Sequence, residues 1–177
     1  MRLRLRLLLL LLSSFWKKPL GILDESMITL TVLPNDVDIR KISRDRYFAL
    51  MDLGRMDLIF RSGLLKLMLK NKWVPVATFD TIRFRYPLKV FQRFQLKTKV
   101  VWWDDVTFYW KHTFVRKGRV VATGYGFGTP LGSNGPVPPQ KIMDQIGQSV
   151  KKPSEPEIVA RLRKSEELIH ETQKEKV

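Results

Sequence analysis

The chain has 177 residues, a hydrophobic fraction of 44% and a formal net charge of +15. This length and composition predict one domain with a real core and argue against a disordered chain. The absence of cysteine excludes disulfides, thiolate zinc sites and a cysteine nucleophile, and the presence of only two histidines argues against a multi-histidine metal site.

The first twenty residues form a segment of their own. They carry five basic residues, no acidic residue and a run of six leucines. The apolar block at residues 7–16 is about half of the ~20 residues that a membrane-spanning helix requires. We expect a helix, ended by Pro19, that docks on protein or lies on a membrane surface. An import signal that doubles as such a helix, and a spanning helix, are the alternatives.

A strand and a long helix follow. Apolar residues alternate along residues 26–33, which predicts the first strand. After a polar loop at residues 36–46, apolar residues from Tyr47 onward cover more than one helical face. This pattern predicts a central helix that is buried on most sides and that breaks near Ser62 and Gly63.

Four further strands are predicted downstream. Residues 93–103 show an apolar face that runs from Phe94 to Trp102 and a polar opposite face, which is typical of a half-buried sheet. Lys117 and Gly118 supply a tight hairpin turn. We expect a four-strand antiparallel meander, with strands at residues 73–86, 93–103, 107–115 and 120–127.

The C-terminal part is predicted as a loop and two helices. Residues 129–139 are rich in Gly and Pro and should be irregular, and residues 140–146 should form a short helix. Ser154, with Glu157 three residues later, predicts a capping box that opens a helix with a narrow apolar stripe. The predicted organisation is an N-terminal helix at 1–20, one domain at 21–149 and a C-terminal amphipathic helix at 150–177.

Four short motifs carry a resemblance to a known family. They are Asp-Val-Asp before the central helix, Tyr-Phe-Ala-Leu-Met-Asp-Leu-Gly-Arg at residues 47–55, Trp-Asp at 103–104 and Gly-Pro-Val-Pro-Pro at 135–139. Residues 3–147 thereby resemble the hotdog-fold acyl-CoA thioesterases of the 4-hydroxybenzoyl-CoA thioesterase type, in the branch with a basic, apolar N-terminal helix. The resemblance implies an α+β hotdog fold, in which an antiparallel sheet wraps around one long central helix.

The resemblance also implies a catalytic loop. In the relatives this loop typically reads Asp-x-Asp-x-Asn-x-His-x-Asn-Asn before the helix tyrosine, and its second Asp is the usual base or nucleophile. Carried over, that Asp is Asp38, and the tyrosine in a positioning role is Tyr47. The loop here is one residue shorter and lacks the His and both Asn. Arg40, Ser43 and Arg44 stand at altered positions of the motif and are the candidate substrate-binding residues.

Each candidate residue also has a structural interpretation. Asp38 could be a loop or helix-capping carboxylate paired with one of the three cations at positions 40, 41 and 44. Ser43 suits the N-cap of the central helix. His112 alternates with aromatic residues and suits a half-buried structural histidine. Trp102 and Trp103 could line an acyl channel, but they also suit a core or a subunit interface.

Three functions are compatible with these patterns. The first is a degenerate thioesterase that serves as a structural or interaction subunit of a larger mitochondrial, membrane-associated or ribosomal assembly. The second is an active acyl-CoA thioesterase with Asp38 as base or nucleophile. The third is a non-catalytic module that binds acyl-CoA or lipid. The sequence predicts no cofactor and no metal for any of them.

The partners and the location are also expectations. Two copies, or this chain and another hotdog subunit, should pair edge to edge, because a lone sheet leaves an open edge strand. Residues 1–18 predict contact with a membrane surface. The expected location is mitochondrial and peripheral to the inner membrane, and the alternative is the bacterial cytoplasm or membrane surface. The basic strand residues predict either a solvated face or a patch for RNA or acyl-CoA phosphates, and they are Arg83, Arg85, Lys97 and Lys99.

Overall fold

The computed structural model describes residues 3–147 and 150–174. The helices are α1 (Arg4–Ser14), α2 (Arg44–Arg61), α3 (Leu64–Asn71), α4 (Pro139–Gln145) and α5 (Glu157–Lys174), with a short 3₁₀ helix at Pro34–Asp36. The strands are β1 (Ser26–Thr31), β2 (Val37–Asp38), β3 (Lys41–Ile42), β4 (Val74–Phe84), β5 (Arg93–Trp103), β6 (Phe108–Arg116), β7 (Arg119–Gly132) and β8 (Gly135–Pro136). The predicted combination of one long helix and an antiparallel sheet is therefore confirmed.

The main sheet differs from the predicted meander in the place of β4. Its strand order is β1, β5, β6, β7, β4, all antiparallel, with β8 paired to β7. The sequence prediction put β4 next to β5, which is wrong, because β4 pairs with β7 at the far edge. The alternation of apolar residues reports which face of a strand is buried, but it carries no information about the neighbouring strand.

The central helix is buried on several faces, as its composition predicts. Leu50 and Met51 lie in one apolar cluster with β1 and β5, whereas Leu58 and Ile59 lie in a second cluster with β6 and the C-terminal part of the domain. The predicted break is also confirmed, because Gly63 has a φ of +82° between α2 and α3. Glycine adopts this left-handed conformation without the steric cost that a side chain would add.

Helix α1 lies along α2 and is held by contacts at both ends. Near its start, Arg6 donates a hydrogen bond of 2.6 Å to the carboxylate of Asp36. Past its end, the ammonium group of Lys17 donates at 2.9 Å to Asp57 of α2, while Leu10 is buried between these two contacts. In the described part of the chain, residues 3–147 and 150–174, no helix is both long enough and apolar enough to cross a membrane.

The Gly- and Pro-rich stretch at residues 129–139 is more regular than predicted. β7 continues through Gly132, and its end pairs with the start of β4, where Pro130 lies opposite Pro75. Residues with poor strand propensity are tolerated here because β4 is an edge strand and β8 covers the other side of this short ladder. The tertiary pairing therefore overrides the local composition.

A bulge changes which tryptophan of β5 faces the core. The register shifts between Val100 and Trp102, so Trp103 rather than Trp102 continues the buried face. Trp102 is half-buried on the opposite face, where the cationic groups of Lys152 and Arg163 lie 5.0 and 5.6 Å from its ring centre. A bulge inserts one residue and thereby reverses the alternation beyond it.

The C-terminal helix begins later than the capping box predicted. α5 starts at Glu157, and the carbonyl of Pro156 accepts the backbone N–H of Val159 at 2.9 Å. Ser154 therefore precedes the helix and does not cap it. Val159 is buried against Tyr109 and Phe127 of the sheet. The predicted apolar stripe therefore packs on the sheet only along the first turns of α5.

Truncation of Leu50 to alanine tests the central position of α2. Leu50 is fully buried, and removing most of its side chain should lower the free energy of unfolding by about 2–5 kcal/mol. The matched control is Leu69→Ala on α3, where the side chain is 70% exposed and the change should stay within about 0.5 kcal/mol. Urea unfolding followed by circular dichroism measures both, and equal losses would contradict the assigned core.

Candidate functional site

The candidate base Asp38 lies on an exposed hairpin. Its backbone pairs with Lys41 across β2 and β3, and Ile39 and Arg40 form the turn between them. Ile39 has a φ of +55° and is 99% exposed. The carboxylate of Asp38 is exposed and makes no ion pair with any residue in the described ranges, so the expected pairing with a neighbouring cation at position 40, 41 or 44 is absent.

The first aspartate of the same motif is buried and structural. The carboxylate of Asp36 is 1% exposed, and it accepts hydrogen bonds from Arg6 at 2.6 Å and from the backbone N–H of Leu33 at 2.9 Å. The guanidinium Nε of Arg46 lies 3.8 Å from its other oxygen. Asp36 thereby joins α1 to the start of α2. This role was not predicted from the sequence. The available signal was that residues 6 and 46 are basic and could pair with a buried carboxylate.

The other predicted site residues do not converge on Asp38. Tyr47 is buried in the core, with edge-on ring contacts to Phe84 and Phe114, and burial raises the pKa of its hydroxyl to about 12. Ser43 stands at the N-cap of α2 as expected, but its hydroxyl donates to the side chain of Asp45 and not to the backbone. Arg40 and Arg44 are exposed at the surface.

A cavity of about 370 Å³ lies elsewhere, between the second half of α2 and the sheet. Helices α3 and α4 close one side, and β4, β6 and β7 form the other. Most of its lining side chains are apolar. The lining residues are Asp52, Arg55, Met56, Ile59, Leu64, Met68, Pro75, Val76, Ala77, Phe108, Trp110, Gly128, Thr129, Pro130 and Ile142.

Arg55 connects this cavity to a buried polar cluster. Its guanidinium donates to Asp52 at 2.8 Å and, through a second nitrogen, to Asp80 of β4. Its Nε lies 3.3 Å from Nε2 of His112 on β6, whose Nδ1 is 3.0 Å from the hydroxyl of Thr98. Because Arg55 can only donate, Nε2 of His112 accepts and Nδ1 carries the proton. The neutral imidazole therefore links the helix to two strands.

Two glycines create the space for this cluster. A Cβ atom on Gly126 of β7 would collide with Arg55 and Asp80, and one on Gly54 of α2 would collide with the hydroxyl of Thr98. Both positions therefore need the absence of a side chain and not an unusual φ. The cluster was not predicted from the sequence, although the glycines that alternate along β7 were a signal of close packing against a helix.

Burial governs the protonation of the charged groups. Desolvation lowers the pKa of His112 well below 6.5, and the adjacent Arg55 lowers it further. Desolvation raises the pKa values of Asp52 and Asp80, and Arg55 opposes this rise. The Asp52 side chain is 65% exposed and Asp80 is 22% exposed, so the desolvation argument applies mainly to Asp80. Asp52 is the carboxylate of the cluster that water can reach most easily.

Comparison with known proteins identifies the family. The model of the thioesterase-like superfamily matches residues 32–149. The chain belongs to the thioesterase-like superfamily. The protein named THEM6 from Xenopus laevis is 33% identical over 95 residues, which cover 53% of this chain and 46% of that protein. THEM6 from Danio rerio is 32% identical over 97 residues, covering 54% and 48%. The chain thus spans about half the length of the curated relatives that it matches.

Several solved structures share the fold of this chain. A hypothetical protein from Thermus thermophilus has a TM-score of 0.63 at 16% identity, covering 70% of this chain and 95% of that one. A 1,4-dihydroxy-2-naphthoyl-CoA thioesterase from Synechocystis has a TM-score of 0.61 at 8% identity, with coverages of 70% and 95%. A probable thioesterase from Bartonella henselae has a TM-score of 0.58 at 17% identity, covering 65% and 98%. These likenesses confirm the predicted α+β hotdog architecture of this thioesterase-like chain.

The pH dependence of stability tests the neutral state of His112. An unfolded histidine binds a proton below about pH 6.5, whereas buried His112 does not, so the folded state should lose stability as the pH falls below that value. The raised pKa of Asp80 acts in the opposite sense, but at the lower pH where carboxylates titrate. His112→Gln, whose amide oxygen can still accept from Arg55, should flatten the decline between about pH 7 and 5.

The control for this measurement is the other histidine of the chain. His170 is exposed on α5, and His170→Gln makes the same substitution outside the Arg55 cluster, so it controls for the substitution itself. Identical slopes in the wild type and in His112→Gln would show that His112 is not the group that titrates.

Proposed function

We propose that the protein binds the acyl part of an acyl thioester in the cavity beside Arg55, and that it does not use Asp38 for hydrolysis. The observation that carries this proposal is the location of the apolar cavity. Its volume of about 370 Å³ falls within the usual range of ligand sites, about 300–1,000 Å³. Asp38 is not among its lining residues.

The chemistry of the lining favours an apolar chain with one polar end. The apolar surface comes from α2, through Met56 and Ile59, and from β6, through Phe108 and Trp110. Arg55 also lines the cavity and places a positive charge where the polar end of a ligand could lie. A subunit with a purely structural role would gain stability from side chains that fill such a space, because interior cavities cost free energy. The presence of the cavity therefore favours binding over a purely structural role.

The surroundings of Asp38 argue against hydrolysis at the hairpin. Attack on a thioester carbonyl needs a carboxylate close to the carbonyl carbon and donors for the developing oxyanion. Asp38 lies at the exposed end of β2, next to the turn of Ile39 and Arg40, and the His and paired Asn of the usual motif are missing. The hairpin alone does not shield this carboxylate from water.

Hydrolysis through Asp52 is the second candidate. This carboxylate lines the cavity, is accessible to water and lies beside the guanidinium of Arg55, so a base and a hydrogen-bond donor stand next to each other. Asp52 would take a proton from a water that attacks the carbonyl carbon. The C–S bond would then break, and the departing thiolate would receive the proton from Asp52. Arg55 would stabilise the negative charge that develops on the carbonyl oxygen.

Filling the cavity tests the binding proposal. Gly128 lines the cavity, and a Cβ there would make ordinary van der Waals contacts, so Gly128→Leu should place its side chain in the ligand space and weaken binding at least about tenfold. Displacement of a fluorescent fatty acyl probe by acyl-CoA esters of several chain lengths measures this. Thr123→Leu, half-buried on the same strand and away from the cavity, is the control and should bind normally.

Turnover of the same acyl-CoA esters separates the candidate functions. Binding without hydrolysis above background supports the binding role. Hydrolysis that is lost in Asp52→Asn and kept in Asp38→Asn would establish the second candidate. Hydrolysis that is lost in Asp38→Asn would refute both candidate functions, because it would show that Asp38 on the hairpin is the catalytic carboxylate.

We also propose that two copies pair along β4. This strand lies at an edge of the described sheet, and Val74, Val76 and Phe84 on it are exposed apolar residues. Pro75, Val76 and Ala77 also line the cavity, so a second copy along this edge would lie beside the ligand space. An open apolar edge strand readily pairs with another strand.

Sedimentation analysis tests the pairing. We expect a mass twice that of the chain, and Val74→Lys should shift the equilibrium toward the monomer because it places a charge on the 59% exposed start of the edge. Val106→Lys, in a turn between β5 and β6, is the control, since Val106 is also exposed but lies away from this edge. A monomeric wild type would contradict the proposed dimer.

A further inference from the structure

The outer side of α1, together with the two residues that follow the helix, carries an apolar stripe. Its members recur at the helical spacing of three and four residues, and all are at least 45% exposed. Phe15 and Trp16, at the C-terminal end of the stripe, are 76% and 82% exposed. The stripe consists of Leu5, Leu8, Leu9, Leu12, Phe15 and Trp16. A contiguous patch of large apolar side chains on a soluble surface normally marks a docking site.

The stripe faces away from the domain, because the other side of α1 already packs on the core and forms polar contacts with it. Leu10 is buried in the main core, and Arg6 is bonded both to Asp36 and, at 3.0 Å, to the carbonyl of Thr31. At the far end Lys17 is paired with Asp57, and Arg61 donates to the carbonyl of Lys18. These contacts hold the helix in one orientation, with its stripe directed away from the domain.

The charges around the stripe decide between two possible partners, which are the α1 helix of a second copy and an anionic lipid surface. Arg4 and Lys18 are exposed at its two ends, and residues 1–18 contain no acidic residue. A symmetric pair of α1 helices would place these cations against each other in either orientation, because an isologous contact repeats the same patch. An anionic lipid surface places phosphate groups there instead, and aromatic residues such as Trp16 favour the membrane interface.

We propose that α1 docks the protein on an anionic lipid surface. The eleven residues of α1 span about 16 Å, so the helix lies in the plane of the interface. Its leucines, together with Phe15 and Trp16, enter the boundary between headgroups and acyl chains. Arg4 and Lys18 contact lipid phosphates at either end. This surface is independent of the acyl cavity and would operate whether or not the cavity binds a ligand.

Vesicle flotation of the full chain tests the apolar contribution. The probes are vesicles of phosphatidylcholine alone and of phosphatidylcholine with about 30% phosphatidylglycerol, and binding should require the anionic lipid. Phe15→Ser with Trp16→Ser should reduce partitioning about tenfold or more, because it removes two large interfacial side chains. The matched control is Leu168→Ser with Ile169→Ser, an apolar pair on α5 that is 56% and 50% exposed and should bind like the wild type.

The charge contribution is tested separately. Arg4→Gln with Lys18→Gln should weaken binding about thirtyfold, since each cation near an anionic surface contributes about 1 kcal/mol. Lys70→Gln with Lys141→Gln removes the same net charge from exposed sites on α3 and α4, and it should have a much smaller effect. Raised salt should weaken wild-type binding as well.

Three outcomes would overturn the proposal. One is a folded wild type, verified by circular dichroism, that floats with neither vesicle. Another is an equal loss of binding in the α1 variants and in their matched controls. The third is a Phe15→Ser, Trp16→Ser variant that dissociates an oligomer in sedimentation and leaves flotation unchanged, which would assign the stripe to a second copy of the chain.

Discussion

The buried charges of the central helix determine how the rest of the chain packs. Arg55 reaches two strands through Asp80 and His112, and Asp57 accepts hydrogen bonds from Ser26 of β1 and from Lys17 after α1. A buried charge that loses its partner costs about 3–5 kcal/mol, so these contacts restrict the orientation of α2 in the sheet. The contact between Lys17 and Asp57 also holds the end of α1 in place. The inner side of α1 packs on the domain, and the leucines of its outer side are exposed.

The chemistry that this scaffold can support depends on where each carboxylate lies. Asp36 joins two helices, and Asp38 is exposed at the end of β2, next to a two-residue turn. Asp52 is the carboxylate that lines the apolar cavity, next to a guanidinium that is already paired. The chain has the fold of the thioesterase-like superfamily, and the charged residues that line its cavity, Asp52 and Arg55, lie in the middle of α2.

Much of the fold could be predicted from local patterns. The continuous apolar content around Leu50 and Leu58 predicted a buried helix, and its break followed from Gly63. The strand at residues 93–103 and the turn at Lys117 and Gly118 were also predicted correctly, because alternation and turn residues act within a few positions. The place of β4, the end of β7 and the bulge before Trp102 were not, since pairing partners lie far apart in the chain.

The candidate site shows the same division. The sequence alone determined the family resemblance, the altered loop around Asp38 and the basic, leucine-rich N-terminal segment, because all three are read from neighbouring residues. Only the tertiary structure showed that Arg55 meets Asp80 and His112 and that a cavity lies beside them. Those groups come from three separate elements. The alternating glycines of β7 indicate close packing, but they do not specify which helix packs there or which side chains meet.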